Sequence, residues 1–440
     1  MRRSFTACSL LLAGAPLLGQ EGARALAPKL ESAYPELRKV YVDLHQHPEI
    51  AFQEKRTASV LAASLKDLGF EVTTGVGRTG VVGLLRNGPG PVVMLRTEID
   101  ALPIEEKTGL PYASKATGTA ADGSAVPTAH ACGHDLHMAG WLGTARLMAQ
   151  ASASWHGTLM LVGQPAEETV SGAVAMLKDG LFTRFPKPDF AISVHGEPTL
   201  PSGVVGYHSG YFRASADSLD IRIFGRGGHG ARPQSTVDPV VIAARTILGF
   251  QTLVSREKDP LEPAVITVGA VHAGTVANII PDEATLRVTV RAFSPAVRKQ
   301  LLAGIERQLV AEAQAANAPR KPEITVVSAT DTVFNDPALT ERMAETLRRG
   351  MGESSVVEFV AQMGSEDFSQ YGLAGVPSLL LHIGAVDPAR LKAAEEKGTP
   401  IPGLHTPQWA PDVEPTLRAL VTAETLMLLE LMGGTTPPRT

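Results

Sequence analysis

The sequence lacks an excess of basic residues, a low-complexity tract and, beyond its N-terminus, any apolar run long enough for a transmembrane helix. Forty Lys and Arg against 45 Asp and Glu give a net charge of −5, which offers no general electrostatic reason to bind nucleic acid. We therefore expect a small-molecule partner, no nucleic acid and no membrane span. A chain of 440 residues is too long for one hydrophobic core, and about two domains are predicted.

Cysteine is almost absent as well, because only Cys8 and Cys132 occur. Residues 1–20 are typical of a signal peptide, with Arg2 and Arg3 ahead of an apolar run over residues 10–18. We expect an exported protein, periplasmic or secreted, and regard a disordered cytosolic N-terminus as the less favoured alternative. Removal of the leader would leave Cys132 as a lone thiol in an oxidising compartment, where it needs deep burial or a bond to a metal.

The apolar runs that follow are typical of an α/β protein. Short, continuous runs of this kind indicate buried strands of a mostly parallel sheet. They lie at residues 81–85, 92–99, 159–163, 190–194 and 378–383. Helices are expected at residues 30–44, 54–68 and 135–150, with Asp135 capping the third.

Residues 214–329 show another pattern, in the order strand, helix, strand, strand, helix, strand, which is that of a ferredoxin-like α+β unit. Its first helix has one apolar face formed by Val240, Ala244, Ile247 and Leu248. Because this unit lies inside the chain, we expect the larger domain to be discontinuous, built from residues 29–213 and 330–440.

The densest group of reactive side chains lies between residues 130 and 137, where three histidines, a cysteine and an aspartate occur together. Thiolate and imidazole are ligands suited to zinc and other borderline metals. Gly133 would let Cys132 and His134 converge on one point. A polar loop before a helix explains the outer histidines equally well, but it explains the unpaired cysteine poorly.

Further candidates follow the predicted strands. Glu167 and Glu168 come after residues 159–163, Asp100 and His195 come at the ends of two other strands, and His405 precedes the last helix. Ligands of open α/β sheets gather at such strand ends. Alone, adjacent glutamates usually form a solvated helix start, and a single histidine is usually structural.

Taken together, five side chains could bind metal: Cys132, His134, Glu168, His195 and His405. Five ligands are too many for one tetrahedral site and are consistent with two divalent ions. The sequence does not distinguish Mn, Zn, Co and Ni. The glutamate beside the ligand Glu168 could then act as a proton-transfer base.

The chain resembles a family of dinuclear metal-dependent aminoacylases and carboxypeptidases that includes hippurate hydrolase, indole-acetyl-amino-acid hydrolases and bacterial N-acyl-amino-acid amidohydrolases. The shared motifs occur in order and are His45-Gln46-His47-Pro48-Glu49, Ile99-Asp100-Ala101-Leu102-Pro103, His130-Ala131-Cys132-Gly133-His134-Asp135, Gln164-Pro165-Ala166-Glu167-Glu168, Gly227-Gly228-His229, Asn278-Ile279-Ile280-Pro281 and Met363-Gly364-Ser365-Glu366-Asp367-Phe368. The cysteine–histidine and Glu-Glu motifs are the most specific of them.

The resemblance implies that the five side chains above are metal ligands, that Glu167 is the general base and that Asp100 is a carboxylate beside the metals. It also implies that residues 214–329 form a dimerisation domain, so a homodimer is expected. His229, Asn278 and Arg291 match positions implicated in substrate binding, with His229 reaching across the dimer. From the residues alone, His229 is a turn residue and Arg291 an exposed strand charge.

Two features depart from the family pattern. Glu98 stands where the family usually has aspartate, and residues 115–128 form a longer approach to the cysteine loop. The expected activity is hydrolysis of N-acyl amino acids. A dipeptidase or carboxypeptidase with the same chemistry is the alternative, and a non-catalytic periplasmic metal- or solute-binding protein is the weakest one, since the predicted base is present.

Overall fold

The computed structural model describes residues 18–120 and 122–433. Most of the expected leader, residues 1–17, lies outside that part of the chain. Its helices are α1 (Leu18–Gln46), α2 (Lys55–Asp67), α3 (His134–Gln150), α4 (Gly172–Lys178), α5 (Leu181–Arg184), α6 (Pro239–Thr252), α7 (Pro295–Ala315), α8 (Pro337–Met351), α9 (Ser369–Leu373), α10 (Pro388–Lys397) and α11 (Val413–Met432).

The strands alternate with these helices along the chain. They are β1 (Glu71–Val76), β2 (Gly80–Asn87), β3 (Val92–Glu98), β4 (Thr117–Thr119), β5 (Ala125–Pro127), β6 (Gly157–Gln164), β7 (Phe190–Pro201), β8 (Val205–Tyr207), β9 (Gly210–Arg213), β10 (Ser215–Phe224), β11 (Gly228–His229), β12 (Ala264–Ala273), β13 (Ile279–Ile280), β14 (Glu283–Ala292), β15 (Glu323–Thr330), β16 (Val333–Asn335), β17 (Val356–Glu358) and β18 (Ser378–Val386).

A large sheet with the order β1-β2-β6-β3-β7-β18-β8-β17 forms the centre of the molecule. Its middle strands β6, β3, β7 and β18 are parallel to one another. At one edge, β2 pairs antiparallel with β6, and β1 pairs antiparallel with β2. The middle strands are almost entirely buried because α1, α3 and α11 cover one face and α4, α5 and α9 lie against the other. The predicted mostly parallel α/β sheet is confirmed.

A second, antiparallel sheet has the order β12-β14-β10-β15. Helices α6 and α7 pack against it, and together they bury a hydrophobic core of their own. This is the strand order of a ferredoxin-like unit, as the pattern predicts. Three two-stranded sheets complete the described residues. They are β11 with β13, β9 with β16 and, as a hairpin in the long approach to the cysteine loop, β4 with β5.

Two local features differ from what the sequence pattern suggests. Asp135 does not cap α3, since the helix begins at His134 after Gly133 and no side chain caps it. The apolar side chains Val240 and Leu248 of α6 face solvent, whereas the sheet-facing side is formed by residues such as Ile242 and Phe250. No helix within the described ranges combines the length and apolarity needed to span a bilayer.

Candidate metal centre

Strands β3, β6 and β7 position four of the candidate site residues. Asp100 follows β3, Glu167 and Glu168 follow β6, and His195 lies at the middle of β7. Because β3 is flanked by β6 and β7 in the parallel part of the sheet, these side chains meet at one edge. The prediction of strand-end positions holds for Asp100, Glu167 and Glu168. It is wrong for His195, because β7 continues six residues beyond it, to Pro201.

The remaining ligands come from two loops that pack against each other. Cys132 and His134 flank Gly133, whose φ of 85° is a left-handed conformation that favours glycine. A Cβ at this position would lie 2.7 Å from the ring of Trp409, so the available space also requires glycine. The main-chain N–H of His405 donates to the carbonyl of Ala131 at 2.8 Å, which holds the His405 loop on the cysteine loop.

The five predicted ligands converge in pairs. The Sγ atom of Cys132 lies 3.4 Å from Nε2 of His195 and 3.3 Å from Nε2 of His405. Glu168 joins the two halves of the cluster, because its Oε2 lies 3.4 Å from Nε2 of His405 and its Oε1 lies 3.9 Å from Nε2 of His134.

Hydrogen bonds on the far side of two rings prepare their Nε2 atoms for a metal. Nδ1 of His134 donates to the carbonyl of Asp100 at 2.8 Å, and Nδ1 of His195 donates to the carbonyl of Gly196 at 2.8 Å. Each ring is thereby held in the tautomer whose Nε2 has a free lone pair.

Several buried atoms of the cluster have no hydrogen-bond partner within the described residues. They are Nε2 of His134, Oε1 of Glu168 and Oδ1 of Asp100. Unsatisfied buried donors and acceptors are rare in folded proteins and call for a ligand, water or ion. The thiol, imidazole and carboxylate donors suit borderline divalent metals, so the residues present fit the expected ions.

Glu167 lies beside the candidate ligands but takes no part in the close contacts among them. Its Oε2 atom is 3.9 Å from Nε2 of His134, and the side chain is 9% exposed. Burial, followed by the charges of Glu366, Glu168 and Asp367, raises the pKa of Glu167 well above its ordinary value. This carboxyl group therefore has a high affinity for a proton, as a proton-transfer group requires.

The loop that carries Glu167 and Glu168 has a constrained backbone. Ala166 and Val170 have φ angles of 52° and 46°, and the latter is unusual for a β-branched residue. A Cβ at Gly172 would lie 1.5 Å from the carbonyl oxygen of Pro165, so the chain turns back on itself here. Such local strain persists where the surroundings fix it and is typical of functional sites.

A buried arginine network that sequence reasoning missed supports this loop. The Arg96 guanidinium contacts Glu98 and donates to Glu366 at 2.8 Å and Asp367 at 3.1 Å. Asp367 in turn accepts the main-chain N–H of Ala173 at 2.9 Å, just beyond the glutamate loop. The signals were a lone arginine within the apolar strand β3 and the two acidic residues of the motif at residues 363–368, to which no role had been given.

The three predicted substrate residues do not join the metal cluster of their own chain. His229 is exposed in β11, where it pairs with Ile279, and the carbonyl of Asn278 accepts the N–H of Gly230 at 2.8 Å. Arg291 lies in β14 and its Nη1 donates to the carbonyl of Met363 at 2.7 Å. His229 and Asn278 therefore form one exposed group, and Arg291 contacts the segment before Glu366.

Known proteins resemble the chain over most of its length. The model of peptidase family M20/M25/M40 matches residues 94–399. Hippurate hydrolase of Campylobacter jejuni is 38% identical over 346 residues, 78% of this chain and 86% of that protein. Thermostable carboxypeptidase 1 of Saccharolobus solfataricus is 33% identical over 345 residues, 78% of this chain and 84% of that one.

Solved structures agree with the sequence comparisons. The YXEP protein of Bacillus subtilis, described as a dinuclear metal binding peptidase from the M20 family, has a TM-score of 0.74 and 29% sequence identity. The superposition covers 91% of this chain and 99% of that structure. The structural similarity thus extends over most of the chain.

Proposed function

The chain belongs to peptidase family M20/M25/M40, and we propose that within it the protein is an exported, homodimeric amidohydrolase of N-acyl amino acids. One observation carries this proposal. Four buried or half-buried donors suited to divalent metals and the more exposed His405 converge beside Glu167, a carboxyl group with high proton affinity. The relative named hippurate hydrolase supports an acyl amino acid as the substrate.

In this proposal Cys132, His134, Glu168, His195 and His405 hold two divalent ions, and Asp100 fixes the tautomer of His134. When bound, the ions polarise the scissile carbonyl and lower the pKa of the attacking water. Zinc and manganese are both compatible with this donor set.

Glu167 performs the proton transfers. Its carboxylate accepts a proton from the attacking water and then delivers it to the departing amine nitrogen, so the C–N bond breaks without expelling an amide anion. Burial keeps the transferred proton from bulk water, because the side chain is only 9% exposed. Arg96 supports Glu167 indirectly, through the acidic residues that hold its loop.

The small sheet is proposed to form the dimer. Val240 and Leu248, two turns apart on α6, are 44% and 70% exposed. The adjacent strand β12 is an edge strand whose Val265 and Val271 are also exposed. An unpaired edge beside apolar helix residues favours association with a second copy. His229, on the same unit, would then complete the partner's active site.

A carboxypeptidase or dipeptidase remains the second candidate, because the relative from Saccharolobus solfataricus is named a carboxypeptidase. Both substrate types present an amide near a free carboxylate. Hydrolysis of matched acyl amino acids and dipeptides by the metal-loaded protein tests the proposal. Faster turnover of N-acyl amino acids is expected, and turnover of dipeptides alone would reverse the assignment.

Export is proposed on the charged and apolar pattern of residues 1–20. N-terminal sequencing of the protein from its native host should find a mature chain that begins at about residue 20 to 28. An intact Met1 would refute it.

A further inference from the structure

Arg213 is a buried arginine without a counter-charge. It is the last residue of β9, it is 9% exposed, and its Nε has no hydrogen-bond partner within the described ranges. Two other buried or half-buried arginines differ, since Arg96 pairs with Glu366 and Arg298 pairs with Asp217. No carboxylate of the described residues forms such a pair with Arg213. A desolvated cation without a partner is unfavourable, which points to an anion that the protein itself does not supply.

The position of Arg213 places it between the two sheets. The chain passes from β9 into β10 at the next residue but one, and Arg213 forms a backbone bridge with Gln362. A Cβ at Gly364 would lie 2.7 Å from Nη1 of Arg213. Arg291 donates to Met363 in the same segment, so two arginines, one from β9 and one from the small sheet, contact residues 362–364.

A short series of side-chain contacts connects the neighbourhood of Arg213 with the metal cluster. The ring centroid of Phe212, the residue before Arg213, lies 4.6 Å from that of His382. The His382 ring centroid in turn lies 6.4 Å from that of the candidate ligand His195. A ligand anion bound to Arg213 would therefore be part of a molecule that also reaches the metal cluster.

The carboxylate that the backbone partner of Arg213 contacts is that of Glu197, and it is already occupied. Glu197 accepts hydrogen bonds from the main-chain N–H and the hydroxyl of Thr199, at 2.9 and 2.6 Å. Its second oxygen accepts from Nε2 of Gln362 at 2.9 Å. Gln362, the backbone partner of Arg213, thus holds this acid in place, and the guanidinium remains open to a ligand.

We propose that Arg213 binds a second carboxylate of the substrate, so that the preferred substrates are N-acyl amino acids carrying two carboxylates. This rests on the proposed function. Arg291, which the family resemblance places among the substrate-binding residues, would hold the first carboxylate. The planar guanidinium matches a carboxylate with two parallel hydrogen bonds, a geometry that a neutral amide does not satisfy. The second carboxylate belongs either to an acidic amino-acid side chain or to a dicarboxylic acyl group.

Two pairs of isosteric substrates distinguish these sources. N-acetyl-L-glutamate is compared with N-acetyl-L-glutamine, and N-succinyl-L-alanine with the analogue whose distal carboxylate is an amide. In at least one pair, kcat/KM for the acid should exceed that for the amide by about tenfold to a hundredfold, the usual range for a hydrogen-bonded charge. The pair that shows the preference identifies the source of the carboxylate.

Substitution of Arg213 should abolish that preference. In Arg213→Met the ratio of acid to amide falls to about one, while hydrolysis of the amide is retained, and Arg213→Lys keeps part of the ratio. Arg342→Met, which removes a surface arginine paired with Glu430, is the matched control and leaves the ratio unchanged. Without ligand, Arg213→Met should melt no lower than wild type, because an unpaired buried charge has been removed.

A ratio unaffected by Arg213→Met, or no preference in either pair, overturns the proposal. Equal loss of activity on all four substrates also overturns it, since Arg213 would then bind the carboxylate that they share. Calorimetric binding of the same pairs to metal-loaded Glu167→Gln separates this from failure of the proposed function. If wild type hydrolyses none of the compounds, the hydrolase proposal fails. The dissociation constants alone then support the Arg213 site if the acid binds about tenfold tighter and overturn it if the two compounds bind equally.

Discussion

Nδ1 of His137 donates a hydrogen bond of 3.0 Å to the carboxylate of Glu98, and both side chains are buried below the metal cluster. Nε2 of the same ring accepts the main-chain N–H of Gly196 at 2.8 Å, next to the ligand His195. Glu98, His137 and His134 lie close enough together to form a metal-binding group of their own. The hydrogen bonds that Glu98 and His137 already make indicate instead that they position the strand that carries His195.

Glu98→Ala tests this positioning role. The change removes the acceptor of His137 and leaves the Gly196 segment less constrained, so metal affinity should fall by about tenfold to a hundredfold. Glu98→Asp, the residue usual in the family, should retain part of the affinity. Competition with a chelator measures the metal dissociation constant. Glu71→Ala, on the exposed edge strand β1, is the control, and an unchanged constant in Glu98→Ala would contradict the role.

Glu167→Gln tests the base. The amide keeps the shape of the side chain but does not accept the proton from water, so kcat should fall by roughly 10² to 10⁴ fold. Metal content, measured by elemental analysis, should remain near that of wild type because Glu168 supplies the ligand. An active variant would remove Glu167 from the mechanism, and loss of metal would exchange the roles of the two glutamates.

The central strands were predictable from sequence because complete burial requires continuous apolar runs. Thus β3 and β6 begin and end within two residues of the predicted limits. The start of α3 was predicted within one residue, but its cap was not predictable, since the carboxylate of Asp135 accepts from His45 at 2.7 Å instead of capping the helix. His45 lies 90 residues earlier in the chain, so the local sequence around Asp135 does not indicate this contact.

The residues of the candidate site likewise include some that were predictable from sequence and some that were not. The ligand types at strand ends and the family motifs together identified the five side chains that converge. Residues whose importance depends on distant partners were missed, namely Arg96, whose partner Glu366 is 270 residues away, and Arg213, whose distinguishing feature is the lack of a partner. Neither a contact at that separation nor an absent counter-charge leaves a local sequence pattern.

Glu424 predicts a pH dependence of stability away from the metal cluster. Burial raises its pKa to about 8, although the hydroxyl of Thr144 donates to it at 2.7 Å and acts in the opposite direction. In the unfolded chain the group ionises near its ordinary value of 4.5. Between these values only the folded state holds the proton, so its contribution to stability declines as pH rises from about 4.5 to about 8.

Glu424→Gln removes that decline because the amide does not ionise. The melting temperature of the variant, relative to wild type, should rise between pH 5 and pH 8. Scanning calorimetry of the metal-free proteins measures the difference. Glu414→Gln, on the exposed side of the same helix, is the control and should show a difference that does not vary in this way. A constant difference for Glu424→Gln would contradict the buried, protonated acid.

Mixed dimers test whether His229 serves the partner subunit. His229→Ala and Glu167→Gln are both expected to be inactive alone. Refolding them together at equal amounts should make about half of the dimers hybrid, each with one site that has both wild-type groups. Activity should therefore recover to about a quarter of wild type. A mixture as inactive as its parents would show that His229 serves its own chain.

The central claim is that Cys132, His134, Glu168, His195 and His405 hold two divalent ions, and metal stoichiometry tests it most directly. Elemental analysis of purified protein, after metal loading and removal of free ions, should give about two ions per chain. Cys132→Ala should clearly lower that ratio, whereas Glu71→Ala, on the exposed edge strand β1, should not. A ratio near zero in wild type, or one unaffected by Cys132→Ala, would contradict the account.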